Sequence, residues 1–118
     1  MSNEISISAS ISFSKGGASV QRAEGIQVTV TGDAFSHEVM SILTTAGGTL
    51  LVEGGDVGTA GYILLKNLDA TNYITVGLSG QYSIKLKAGE IALFRAAAPI
   101  YALANTATCL VEYLIIEE

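Results

Sequence analysis

The sequence predicts an all-β protein: an antiparallel two-sheet β-sandwich, jelly-roll-like in the first reading, with an immunoglobulin-like sandwich as the alternative. Three observations lead there. Side-chain polarity alternates with a period of two over most of the chain. Turn-forming residues recur at the short intervals that mark sandwiches and barrels. No segment carries a 3.6-residue apolar stripe, and the helix-prone Ala96-Ala97-Ala98 runs straight into Pro99. At 118 residues the chain suits one domain, 1–118, able to bury roughly two-thirds of its unfolded surface. No repeat or linker divides it.

The elements follow in order. Ile5, Ile7, Ala9, Ile11 and Phe13 alternate with Ser6, Ser8, Ser10, Ser12 and Ser14, which reads as a half-buried strand that Lys15-Gly16-Gly17 breaks. Serine is a poor strand former, so this strand needs a partner surface. Closing the edge of its own sandwich is the preferred placement, ahead of pairing with a neighbour's sheet edge. Val20 falls on a short second strand, and Glu24-Gly25 reads as a turn. Ile26, Val28 and Val30 alternate with Gln27, Thr29 and Thr31 as the next strand. After Gly32-Asp33, residues 35–43 form a strand, 44–48 a loop and 49–52 a short strand. The glycine-rich stretch 53–61 reads as a loop. Residues 62–66 are nearly all apolar, as in a strand covered on both faces. Strands follow at 73–78, 82–87, 90–95, 100–103 and 109–116, with Ile74, Val76, Leu78, Ile84 and Leu86 facing inward.

Composition removes whole classes of function. The chain is 49% hydrophobic and only 14% charged, against roughly 25% charged in an average soluble domain, so it is not intrinsically disordered. A single cysteine forms no intrachain disulfide. One histidine and one cysteine leave no material for a zinc cluster. A net charge of −5 argues against electrostatic nucleic-acid binding. The start of the chain lacks the basic and apolar regions of a signal peptide. The longest near-apolar run, 96–104, falls far short of the roughly 20 residues of a membrane span. These features read as a soluble protein of a reducing compartment, and its apolar excess as surface buried against other subunits.

The chemistry-bearing residues each have a plain structural reading. His37 and Glu38 are adjacent on a strand, so they point to opposite faces and cannot share a metal; His37 reads as a surface histidine. Cys109 reads as a small buried hydrophobe. Gly55, Gly58 and Gly61 match neither the dinucleotide fingerprint nor the P-loop. The carboxylates at Glu24, Asp33, Glu38, Glu53, Asp56, Asp69 and Glu90 show no spacing that pairs two of them in a cleft. Tyr62, Tyr73, Tyr82, Tyr101 and Tyr113 all fall on expected strands, as packing residues. Lys66, Lys85, Lys87 and Arg95 read as partners for the acidic excess. No residue is assigned to catalysis, a cofactor or a metal.

The second half of the chain resembles small virion proteins of tailed bacteriophages. The resemblance rests on GYILLKNLDATNY at 61–73, IKLKAGEIALFR at 84–95 and LVEYLI at 110–115; residues 32–42 match more loosely. It implies a β-sandwich structural protein of the particle, a capsid decoration (cement) subunit or a tail component, with no active-site residues to transfer. The expectation is therefore a non-enzymatic virion protein, assembled in the host bacterial cytoplasm. Its partners would be the major capsid protein or tail proteins, with neither nucleic acid nor membrane among them. The hydrophobic excess adds the expectation of a homo-oligomer, a trimer in the first reading. The alternative is a tail or fibre module that binds a host receptor or glycan.

Overall fold

A computed structural model describes residues 4–51 and 60–117. They form ten strands: β1 (Ile5–Lys15), β2 (Ala18–Val28), β3 (Phe35–Ile42), β4 (Thr49–Leu50), β5 (Ala60–Asn67), β6 (Ile74–Leu78), β7 (Gln81–Leu86), β8 (Ile91–Arg95), β9 (Tyr101–Ala104) and β10 (Cys109–Glu117). The chain divides into two compact units, Met1–Thr31 and Gly32–Glu118.

The second unit is the expected all-β sandwich. Its two four-stranded sheets have the orders β3-β10-β5-β8 and β4-β9-β6-β7, and every pairing is antiparallel. The unit's first strand pairs with its last, its second with the last but one, and so inward: β3 with β10, β4 with β9, β5 with β8, β6 with β7. This is one long hairpin, four strands deep, rolled into two sheets, which is jelly-roll connectivity. An immunoglobulin-like sandwich groups its strands differently.

Alternation builds the core. Val111, Tyr113 and Ile115 on β10, Ile63 and Leu65 on β5, and Ile74 and Val76 on β6 all turn inward and are buried, with Ile42, Leu86, Ala102 and Cys109 among them. Each large aliphatic side chain so buried contributes roughly 1.5–3 kcal/mol. Strand β5, expected to be covered on both faces, has one face inward and one outward: Leu64 lies 38% exposed between buried Ile63 and Leu65. A two-layer sandwich covers each sheet on one side only, so its apolar run has an outward row.

The first unit is a ribbon in which β1 and β2 pair with each other over eleven residue pairs. The N-terminal strand therefore does not close an edge of the sandwich. Gly16 (φ 57°) and Gly17 (φ 90°) join the strands. Two consecutive positive φ values suit the two-residue hairpin turn that matches strand twist, and glycine adopts them without steric cost. The expected turn at Glu24-Gly25 is instead the interior of β2, where Gly25 stands opposite Ser8. The short strand at Val20 and the start of the strand at Ile26 are parts of one element. Glu4 clasps the ribbon's open end, its Oε1 accepting the Val30 N–H at 3.0 Å.

Three further expectations change. Leu78, expected inward, is 47% exposed at the end of β6. Tyr73 precedes β6, and its N–H donates to Asn105 Oδ1 at 3.0 Å. Ile84 shares the inward side with its opposite number Val76, but β7 is the edge of its sheet and Ile84 remains 38% exposed. The register slips between Val76 and Gly77. A Cβ at Gly77 would collide with the Gln81 carbonyl, so glycine permits the bulge. The sequence run 53–61 lies almost wholly outside the described residues; Ala60 and Gly61 open β5.

Leu86→Asp should abolish cooperative thermal unfolding. Leu86 is 3% exposed, and an unpaired carboxylate there costs several kcal/mol against a total stability of about 5–15 kcal/mol. Ile84→Asp keeps its charge near water and should melt only a few degrees early. Equal melting temperatures for the two variants would show the edge assignment of β7 to be wrong.

Candidate interaction face

Strand alternation gives the β3-β10-β5-β8 sheet an outer face as well as a core face. The registers align His37, Leu114, Leu64 and Leu93 as one row across all four strands. The next row is Val39, Glu112, Lys66 and Ile91. Phe35 lies opposite Ile116 on one flank, and Tyr62 opposite Arg95 on the other. Several of these side chains face solvent substantially: Phe35 67%, Ile91 66%, Val39 53% and Leu110 51%. Isolated exposed apolar residues are ordinary, but a row of leucines across three strands with exposed Val39 and Ile91 beside it makes a candidate interaction surface.

Charge is set into this face in a few places. His37 Nε2 and Glu112 Oε2 lie 2.8 Å apart, both about half exposed. The Arg95 guanidinium sits over the Tyr62 ring, 5.2 Å from its centroid. Such exposed pairs contribute about 0–1 kcal/mol to stability. They orient polar groups among the apolar side chains of this face.

His37 is thus on the surface as expected, with its carboxylate partner from β10, 75 residues away. Glu38 points to the opposite face, where Ser36 Oγ donates to its Oε2 at 3.4 Å. Cys109 is fully buried, and burial, with a smaller effect from the Asp69 charge, pushes its thiol pKa up. A raised pKa suppresses the reactive thiolate. Lys66 and Arg95 belong to the outer face just described. Lys85 lies in the other sheet with its ammonium 4.2 Å from the Tyr73 ring centroid, and the Lys87 N–H donates to Glu90 Oε1 within a turn. Among the described residues, no group of three or more His, Cys, Asp or Glu is placed to hold a metal ion.

One polar cluster escaped the sequence reading. Asn67 is fully buried at the end of β5. Its Nδ2 donates to the carbonyls of Asn72 (3.0 Å) and Leu86 (3.1 Å), and its Oδ1 accepts the Asp69 N–H at 3.0 Å. Asp69 Oδ2 in turn accepts the Asn72 N–H at 2.6 Å and the Thr71 N–H at 3.0 Å. These backbone donors hold the Asp69 carboxyl below its ordinary pKa, Asn72 most strongly. Thr106 Oγ1 ties the cluster to the facing turn through Asn72 Oδ1 at 2.9 Å. Every bond closes on the chain itself, so the cluster is a loop lock. The signal for it was the run Asn67-Leu68-Asp69-Ala70-Thr71-Asn72, whose Asx residues favour such local turns.

Comparison with protein-family models, curated proteins and solved structures finds no match for this chain.

Asn67→Ala should destabilise the fold by about 3 kcal/mol, since three hydrogen bonds are lost and buried carbonyls are left unpaired. Denaturant titration measures it. Asp69 supplies the pH test. Its folded pKa is lowered, so its contribution is complete above the ordinary Asp value of about 4 and is lost as pH falls through the folded pKa. The Asp69→Asn variant should therefore show a flatter stability–pH curve below pH ~4 than the parent, as read by thermal melts across an acid series.

Proposed function

We propose that the chain is a non-enzymatic structural subunit of a tailed-bacteriophage virion, a decoration or cement subunit on the head that acts through protein–protein contacts. The observation that carries this reading is the outer face of the β3-β10-β5-β8 sheet. There Leu114, Leu64 and Leu93 form an apolar row across three strands, and Phe35, Val39, Ile91 and Leu110 lie exposed around His37, Glu112 and Lys66. Such a face gains free energy at about 25 cal/mol per Å² when a neighbour covers it. Jelly rolls recur in capsid proteins, an argument from fold analogy. The virion part of the reading is the expectation drawn from the sequence at 61–73, 84–95 and 110–115. In it, the subunit assembles in the host bacterial cytoplasm as a homo-oligomer, a trimer, and bridges neighbouring copies of the major capsid protein. Bridging adds avidity, because each further contact after the first is intramolecular.

Co-sedimentation of the purified chain with heads that lack it tests this. The parent should bind. The double variant Leu64→Lys with Leu93→Lys should lose at least tenfold in affinity, about 1.4 kcal/mol, with its melting temperature nearly unchanged because both side chains point outward. Lys85→Ala, on the other sheet, should bind as the parent does. Binding to tails and not to heads would move the subunit to the tail; equal binding by all three proteins would remove this face from the reading.

A further inference from the structure

The ribbon and the sandwich differ in what holds each of them. Among the described residues, every buried apolar side chain lies within 42–115, in the sandwich. The ribbon contributes none. All of residues 8–27 are exposed, the apolar ones included: Ile11 is 71% exposed, Val20 60% and Phe13 51%. Burial begins only at the root of the ribbon, where Ile5, Ile7, Val28 and Val30 are half-buried.

What remains to hold the ribbon is weak. Its two strands make a sheet of their own, and a two-stranded hairpin in water is marginally stable at best. Directly opposed residues project to the same side. One side offers the apolar pairs Ile5–Val28, Ile7–Ile26 and Phe13–Val20, each a small contribution where water reaches it. The other side is Ser6–Gln27, Ser8–Gly25, Ser10–Ala23, Ser12–Gln21 and Ser14–Ser19. Serine is a poor strand former, and Gly25 brings no side chain to pack. The Arg22–Glu24 ion pair is exposed on both partners, so water screens it. The Glu4–Val30 hydrogen bond fastens the root and leaves the Gly16-Gly17 tip unaided. The sandwich has the opposite provision: two four-stranded sheets, a shared core and the Asn67 lock.

We infer that the ribbon is an order–disorder element. It opens and closes in an equilibrium of its own, far more often than the sandwich unfolds, and opening starts at the Gly16-Gly17 tip and runs toward the root. This property belongs to the chain itself and is independent of any virion role.

Native-state hydrogen exchange on the full chain tests it. Amides of residues 8–27 should be protected less than ~100-fold over unstructured rates, and hydrogen-bonded amides of β5 and β10 at least ~1,000-fold. Asn67→Ala should speed exchange in β5 and β10 and leave the ribbon's rates unchanged. Ile11→Asp should do the converse, raising ribbon rates roughly threefold and no others. Limited trypsin digestion of the parent gives a second reading that needs no variant. Cleavage should come first after Lys15 and Arg22, ahead of Lys66, Lys85, Lys87 and Arg95, and the nicked chain should keep its melting temperature. Ribbon amides as slow as those of β10 overturn the inference. So do ribbon rates that follow the sandwich in Asn67→Ala, first cleavage within 32–118, or a melt that is lost on nicking.

Discussion

Strand β10 is the constraint on which the sandwich depends. It is held between β3, the first strand of the unit, and β5, so the end of the chain must return to its beginning before the first sheet exists. Its inward residues, from Cys109 to Ile115, are all in the core. At the far end of the strand, Glu117 Oε1 accepts the N–H groups of Asp33 and Ala34, and the Glu117 N–H donates to the Ala34 carbonyl. That clasp explains Gly32, where any Cβ would strike the Glu117 carboxylate. Nested pairing of this sort makes most contacts non-local. Loop-closure entropy is then met before contacts return it, so such topologies fold slowly.

The nesting also decides what faces water. Because alternate pairs of the rolled hairpin, β3–β10 and β5–β8, bring residues from four distant segments side by side, the rows of the outer face exist only in the folded sheet. Leu64 and Leu93 are neighbours through the β5–β8 register, and His37 meets Glu112 through the β3–β10 register. Glu38 has a different place. It projects to the inward side of the edge strand β3 yet remains exposed, an inward-pointing charge of the kind that discourages strand addition at a sheet edge.

Period-two alternation made most strands legible from sequence, because a half-buried strand must alternate. Residues 35–43, 82–87 and 109–116 nearly coincide with β3, β7 and β10. Gly25 misled, since glycine marks both turns and ladder positions, and only the partner Ser8 distinguishes them. The exposure of Ile84 could not be read locally, because edge position is a property of strand order and not of pattern. Asn67 was hidden for a related reason. Its three partners come from Asp69, Asn72 and Leu86, and a buried amide is recognisable only once those groups are seen to converge. The candidate face was similarly out of reach, as its rows are read across strands and no single strand contains one.

The sealed thiol of Cys109 bears on how the protein meets oxidants. Burial and a raised pKa keep it from forming a disulfide with another copy, and it is the chain's sole cysteine. The fold is therefore indifferent to whether its surroundings are reducing or oxidising. A protein built this way passes between the two without covalent rearrangement, its fold carried by packing, hydrogen bonds and a few exposed ion pairs.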